Sequence, residues 1–125
     1  MIAHHHIALL SSCKEASLAF YRTLGFTLVK EIIRPARGDE VCFLSGGGMT
    51  LELFVSGGKP PRPSDPEAYG VRHLAFICRD LDALRASLLA SGHLPEPMRR
   101  DSQSGARMFF VKDPDGLPIE LREEE

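Results

Sequence analysis

Net charge, cysteine and uninterrupted apolar sequence are all in short supply in this chain, and each shortage closes off a class of function. With 15 Lys and Arg against 17 Asp and Glu, the formal charge is −2, which gives no electrostatic case for nucleic acid or a membrane surface as partner. Three cysteines, Cys13, Cys42 and Cys78, make an odd count without a CxxC pair. The chain therefore does not read as a disulfide framework, and a reducing cytoplasm is the expected compartment. Cys42 and Cys78 lie in apolar, strand-like runs and are expected to be buried small hydrophobes rather than nucleophiles. No run is apolar and long enough for a membrane span, and none is laid out like a signal peptide.

What remains is a globular composition, 43% hydrophobic and 26% charged, which excludes disorder and fibrous structure. At 125 residues one compact domain is expected. Each half, at roughly 60 residues, would bury too little surface alone, so the halves are expected to share a core. They also carry the same markers in step. His6 precedes Glu52 by 46 residues and His73 precedes Glu120 by 47, while Gly25 and Gly92 each follow their histidine by 19.

The local signals repeat in the same order. Residues 4 to 10 read as a strand, and Ser12 with Glu15 forms a capping-box signal for a helix whose apolar face is Ala16, Phe20 and Leu24 and whose end is Gly25. Strand-like runs follow at 26 to 33, 39 to 45 and 49 to 55, the last two joined by a turn at Gly46, Gly47 and Gly48. A second strand-and-helix unit runs from Val71 to Cys78, then from an Asp80 N-cap through Leu81, Leu84 and Leu88 to Gly92. Runs near 96 to 101, 106 to 111 and 117 to 122 complete it, with Asp113-Pro114-Asp115-Gly116 as a turn. The pattern is βαβββ, twice: module 1 at about 3–55, a Gly- and Pro-rich linker at 56–70, and module 2 at about 71–123. The linker could stretch to roughly 50 Å, enough for the modules to pair within one chain or to exchange between two.

Strand parity then singles out four side chains. Residues two apart share a face, so His6 lies with Ala8 and Leu10, His73 with Ala75 and Ile77, and Glu52 with Phe54. Glu120 opposes Ile119 and Leu121. In each case large apolar neighbours claim the helix-packed face, leaving His6, Glu52, His73 and Glu120 on the other. Four such groups facing inward are costly to desolvate without a common partner, and a divalent cation supplies one. Parity sends His5 to the helix-facing side, which makes His6 the expected ligand; His4 shares the face of His6.

The segments His-His-Ile-Ala, Ala-Phe-Tyr-Arg-Thr-Leu-Gly-Phe from Ala19 to Phe26, Leu-Glu-Leu-Phe around Glu52, Arg-His-Leu-Ala-Phe around His73 and Asp-Pro-Asp-Gly-Leu-Pro-Ile-Glu-Leu past Glu120 resemble the vicinal oxygen chelate superfamily. That group includes glyoxalase I, methylmalonyl-CoA epimerase, extradiol dioxygenases, and bleomycin and fosfomycin resistance proteins. The resemblance covers nearly the whole chain. It implies an α+β fold in which two tandem βαβββ modules form a curved mixed sheet around a metal-binding cavity, with the helices on the outer face. It also implies one divalent metal ion per site at His6, Glu52, His73 and Glu120. Zn, Ni, Co, Mn and Fe all suit such a set.

Dioxygenases and metal-dependent fosfomycin enzymes use only three protein ligands, whereas glyoxalase I and the epimerases also fill the position of Glu52. The resemblance therefore implies a metal-dependent lyase or isomerase acting on a small vicinal-oxygen substrate through an enediolate-type intermediate, with Glu120 or Glu52 as the base. Phe54 and Arg107 are the expected substrate contacts, Arg107 as the holder of an anionic substrate group, with Arg99 and Arg122 behind it in that role. The positions that hold glutathione in glyoxalase I are here Leu10, Ser56 and Tyr69, which argues against glutathione as the thiol. A non-catalytic antibiotic- or electrophile-binding resistance protein and an Fe(II)-dependent ring-cleaving dioxygenase are the alternatives. A homodimer is expected, because the family often builds its cavity about a two-fold axis.

Overall fold

The computed structural model describes residues 1 to 124. The chain divides into two compact units, Met1 to Pro60 and the residues from Pro61 onward. Each is a βαβββ module with its own mixed four-stranded sheet, so the protein is α+β with two tandem modules. Among the described residues no helix is long and apolar enough to cross a membrane.

The first unit runs β1 (Ile7–Ser11), α1 (Lys14–Thr23), β2 (Thr27–Arg34), β3 (Asp39–Gly46) and β4 (Met49–Val55), with sheet order β1-β4-β3-β2. β1 and β4 are parallel, and the other pairs are antiparallel. One face is apolar: Cys42, Leu44, Leu51 and Leu53 are buried, together with Phe20 and Tyr21 of α1 and Phe26 just after it. Fully burying one such large side chain stabilises the fold by about 1.5–3 kcal/mol. Two polar contacts tie α1 to this face. Ser11 Oγ meets Ser17 Oγ at 2.6 Å, and Lys14 Nζ reaches Glu31 and Glu40 at 2.6 and 2.7 Å.

The second unit runs β5 (Leu74–Ile77), α2 (Leu81–Ala90), β6 (Arg99–Arg100), β7 (Arg107–Lys112) and β8 (Pro118–Arg122), with sheet order β5-β8-β7-β6. Its apolar face holds Leu74, Phe109, Val111, Ile119 and Leu121, with Leu81 and Leu88 of α2 also buried. Part of the expected linker folds into this unit. Arg62 Nη2 donates to the Val71 carbonyl at 2.7 Å, and Ser64 bridges to Glu67.

Both helices end alike. After α1, Gly25 N donates to the Arg22 carbonyl and Phe26 N to the Tyr21 carbonyl; after α2, Gly92 N donates to Leu89 and His93 N to Leu88. This is the Schellman pattern, and it needs a left-handed residue, here Gly25 at φ 98° and Gly92 at φ 84°. Gly46 has a different reason to be glycine. A Cβ there would lie 2.9 Å from the Phe26 ring, inside the core contact between the β3–β4 turn and the end of α1.

Several expected boundaries move. The N-cap position of α1 is Cys13, one residue beyond Ser12, and its own side chain makes no cap bond, whereas Asp80 caps α2 by accepting from Ala83 N at 3.0 Å. The buried face of α1 is Ser17, Leu18, Phe20 and Tyr21, with Ala16 and Leu24 only half-buried. β1 starts at Ile7 rather than residue 4, β5 is four residues long, and β6 is only two. Cys42 is buried as expected, but Cys78 falls beyond β5 and is half-buried.

Candidate metal and substrate site

The two modules place a histidine and a glutamate in the same register. In the first, parallel pairing sets Ala8 beside Glu52; in the second it sets Ala75 beside Glu120. His6 and His73 each stand just before the first strand of their module, two residues before that alanine. His6 Nε2 lies 2.9 Å from Glu52 Oε2, and His73 Nε2 lies 3.5 Å from Glu120 Oε1. The burial pattern confirms the parity. Leu51 and Leu53 are buried around Glu52, and Ile119 and Leu121 around Glu120, while both glutamates remain partly open.

His5, expected on the helix-facing side, is exposed. Residues 4 to 6 precede β1, and His5 Nδ1 meets His6 Nδ1 at 2.7 Å with the rings edge to face. One of the two nitrogens must carry the proton, so His5 can set the tautomer of His6 and thereby which nitrogen offers a lone pair.

Two aromatic residues absent from the expected site lie opposite the glutamates. Phe43 pairs with Glu52 across β3 and β4, and Phe110 pairs with Glu120 across β7 and β8. The Phe110 ring stands edge-on to His73, with centroids 5.1 Å apart. A sequence signal existed: each phenylalanine follows its module's histidine by 37 residues.

Two residues beyond each glutamate the modules diverge. Phe54 shares the face of Glu52, as expected, and the Arg34 guanidinium covers its ring at 5.1 Å. Arg34 is itself held by Asp39 in a two-point ion pair at 2.7 and 2.6 Å, which keeps the Asp39 carboxyl below its usual range. The corresponding residue of the second module is Arg122, whose Nη1 donates to Glu120 Oε2 at 3.1 Å and to Asp101 Oδ2 at 3.2 Å. Hydrogen bonds to Glu120 and then Asp101 push the Arg122 pKa further up.

Arg107 is placed elsewhere. Alternation puts it with Phe109 and Val111 on the helix side of β7, where its guanidinium pairs with Asp82 of α2 at 3.0 Å and with Glu123 at 3.1 Å. It is not brought together with His73 and Glu120, and its charge is already matched twice. Of the three positions that differ from glyoxalase I, Leu10 and Tyr69 are exposed, and Ser56 N donates to the Ser11 carbonyl at 3.0 Å.

A rival donor cluster lies on the helix side of the first sheet, where ligand atoms of Glu31, Glu40 and Cys42 come within 4.8 Å of one another. Lys14 already supplies its cation, and its own pKa is raised by hydrogen bonds to Glu31 and Glu40. Burial pushes the Cys42 thiol up, away from the thiolate a metal needs. The cluster is an internal ion pair network rather than a metal centre.

The sequence matches the model of the glyoxalase/bleomycin resistance protein/dioxygenase superfamily over residues 3–121. It is 44% identical over 122 residues to the uncharacterized protein YaeR of Escherichia coli (strain K12), covering 96% of this chain and 95% of that protein. A glyoxalase family protein from Enterococcus faecalis superposes with a TM-score of 0.89 at 43% identity, covering 97% of both chains. The trypanothione-dependent glyoxalase I of Leishmania major superposes at 0.72 with 31% identity, covering 95% of this chain and 84% of that one. On the family match and on identity along nearly the whole length, the chain belongs to the glyoxalase/bleomycin resistance protein/dioxygenase superfamily.

Proposed function

We propose that the protein is a metal-dependent lyase or isomerase of the glyoxalase I type, moving a proton on a small substrate with two adjacent oxygens. The observation that carries this reading is the repeated His and Glu pair, held in the same register by parallel strands in both modules. Two imidazoles and two carboxylates are a mixed nitrogen and oxygen donor set that suits Zn, Ni, Co, Mn or Fe. The donors are His6 and Glu52 in the first module and His73 and Glu120 in the second. When bound, the cation would stabilise negative charge developing on a substrate oxygen.

The residues divide the remaining work. Glu52 or Glu120 takes the proton from the carbon beside a carbonyl and returns it to the neighbouring carbon. Phe43 and Phe110 flank the two carboxylates and limit water beside them, while Phe54 offers the substrate an apolar surface. Leu10, Ser56 and Tyr69 lack the charged and amide groups that grip glutathione, so a different thiol or a thiol-free substrate is favoured.

Elemental analysis of protein purified without added metal should find a stoichiometric divalent ion. Glu120→Gln should abolish solvent proton exchange at the α-carbon of a thiol adduct of an α-ketoaldehyde, with the circular dichroism spectrum unchanged. Undiminished exchange in that variant would remove Glu120 from the catalytic assignment. Tight ligand binding without turnover or metal would identify a sequestering protein, and oxygen consumption a dioxygenase.

A further inference from the structure

Among the described residues, one guanidinium on the Glu120 face of the second sheet has no counter-charge. Arg122 is saturated by Glu120, Asp101 and Ser104. Arg99 differs. It lies on β6 opposite Met108, which in turn pairs with Arg122, and this row shares the face of Phe110 and Glu120. Its Nε donates to Met108 Sδ at 3.4 Å, and its guanidinium carbon stands 5.3 Å from the Phe110 ring centroid. Among the described residues no carboxylate lies within ion-pair distance of it. The neighbouring Arg100 alternates to the other side and spends its Nη1 on the Gly105 carbonyl at 2.8 Å.

Two contacts thus engage Arg99, and among the described residues neither Nη group has a protein acceptor. Such a fork, over an aromatic ring and with its Nε engaged, is shaped for two-point recognition of an oxyanion. Ordering it in advance lowers the entropy cost of binding. Its location is informative as well. Phe110, on which it lies, is the partner of Glu120 and meets His73 edge-on at 5.1 Å, so one aromatic ring separates the cation from the His73 and Glu120 pair.

We propose that Arg99 is the anion-recognition residue of this site, and that the substrate carries a carboxylate or phosphate-type oxyanion in addition to its two adjacent oxygens. The chemistry at His73 and Glu120 rests on the proposed function above; the anion binding does not.

The test is a titration of the full chain, as purified and after chelator treatment, with inorganic phosphate and separately with acetate at low ionic strength. Signals of the Arg99 Nε proton and the Phe110 amide are followed by NMR. Saturable shifts at both are expected with at least one anion, and the tighter of the two names the oxyanion. Arg99→Gln should weaken that binding by about tenfold or more, Arg99→Lys should keep an intermediate affinity because charge survives without the planar fork, and Arg79→Gln should bind as the unsubstituted chain does. Arg99→Gln binding both anions normally, or binding that disappears with chelation, would overturn the proposal. Because the chelated protein is used, failure of the metal-dependent reading leaves this result standing, and the reverse holds too.

Discussion

Asp113 shows how much of a hairpin can depend on one side chain. It is 7% exposed, and its Oδ1 accepts from the backbone of both Asp115 and Leu117 at 2.9 Å, while its own N–H donates to the Leu117 carbonyl. Asp113→Ala leaves two amide donors without that acceptor and should lower stability by about 1–3 kcal/mol in urea unfolding, with Asp113→Asn losing less because its amide oxygen still accepts. The Asp-Pro-Asp-Gly run announces this turn, and the two glutamates are equally legible, because each sits between large apolar residues in a strand pattern. Arg122 was harder to rank. Its importance comes from Asp101, 21 residues away, and no local pattern joins those two positions. Arg107 is illegible for the converse reason: it stands in a strand, but which face it takes depends on the pairing of β7 with β8 and on Asp82 in α2.

Helix ends were legible, and helix starts less so. Gly25 and Gly92 close Schellman turns at φ 98° and 84°, a conformation that costs an L-residue about 1–2 kcal/mol. Gly25→Ala and Gly92→Ala should therefore each lower stability by about that amount in thermal or urea unfolding. Nothing lies within 4 Å of a Cβ built at either position, so the penalty is purely conformational. A Gly46→Ala change should act differently, through collision with Phe26 rather than through backbone strain. The chain enters α1 one residue beyond Ser12, with the Cys13 carbonyl accepting the first helical bond from Ser17 N. Strand ends shifted for a related reason. β5 can extend only where β8 offers a partner, so the apolar run from Val71 to Cys78 yields a strand of four residues.

For the molecule as a whole, ion pairs contribute to the loss of stability in acid and a buried thiol to the loss in alkali. The carboxyl of Asp39 is held down by its hydrogen bonds from Arg34, and that of Glu123 by the Arg107 backbone N–H and then its guanidinium. A carboxyl with a depressed folded pKa contributes stability that is present above its unfolded value and lost as pH falls through the folded one. Cys42 runs the other way. Burial raises its thiol above 9.0, so its contribution is complete below that pH and declines as the unfolded thiol ionises above it. The urea midpoint should therefore be flat near neutrality, fall below about pH 4, and fall again above about pH 9. Arg34→Met should weaken the acid-side dependence, and Cys42→Ala the alkaline one.

The order βαβββ repeated twice, the four ligand candidates and the two glycine stops are written in short-range patterns of period two and 3.6, which a linear chain displays directly. The choice of strand partners is not local. Pairing β3 with β4 and β7 with β8 set Phe43 against Glu52 and Phe110 against Glu120, put Arg107 on the helix side, and left Arg99, among the described residues, without a counter-charge beside Phe110. Charge and aromatic type can be read from composition, but which cation is already neutralised depends on side chains that meet only when distant strands align.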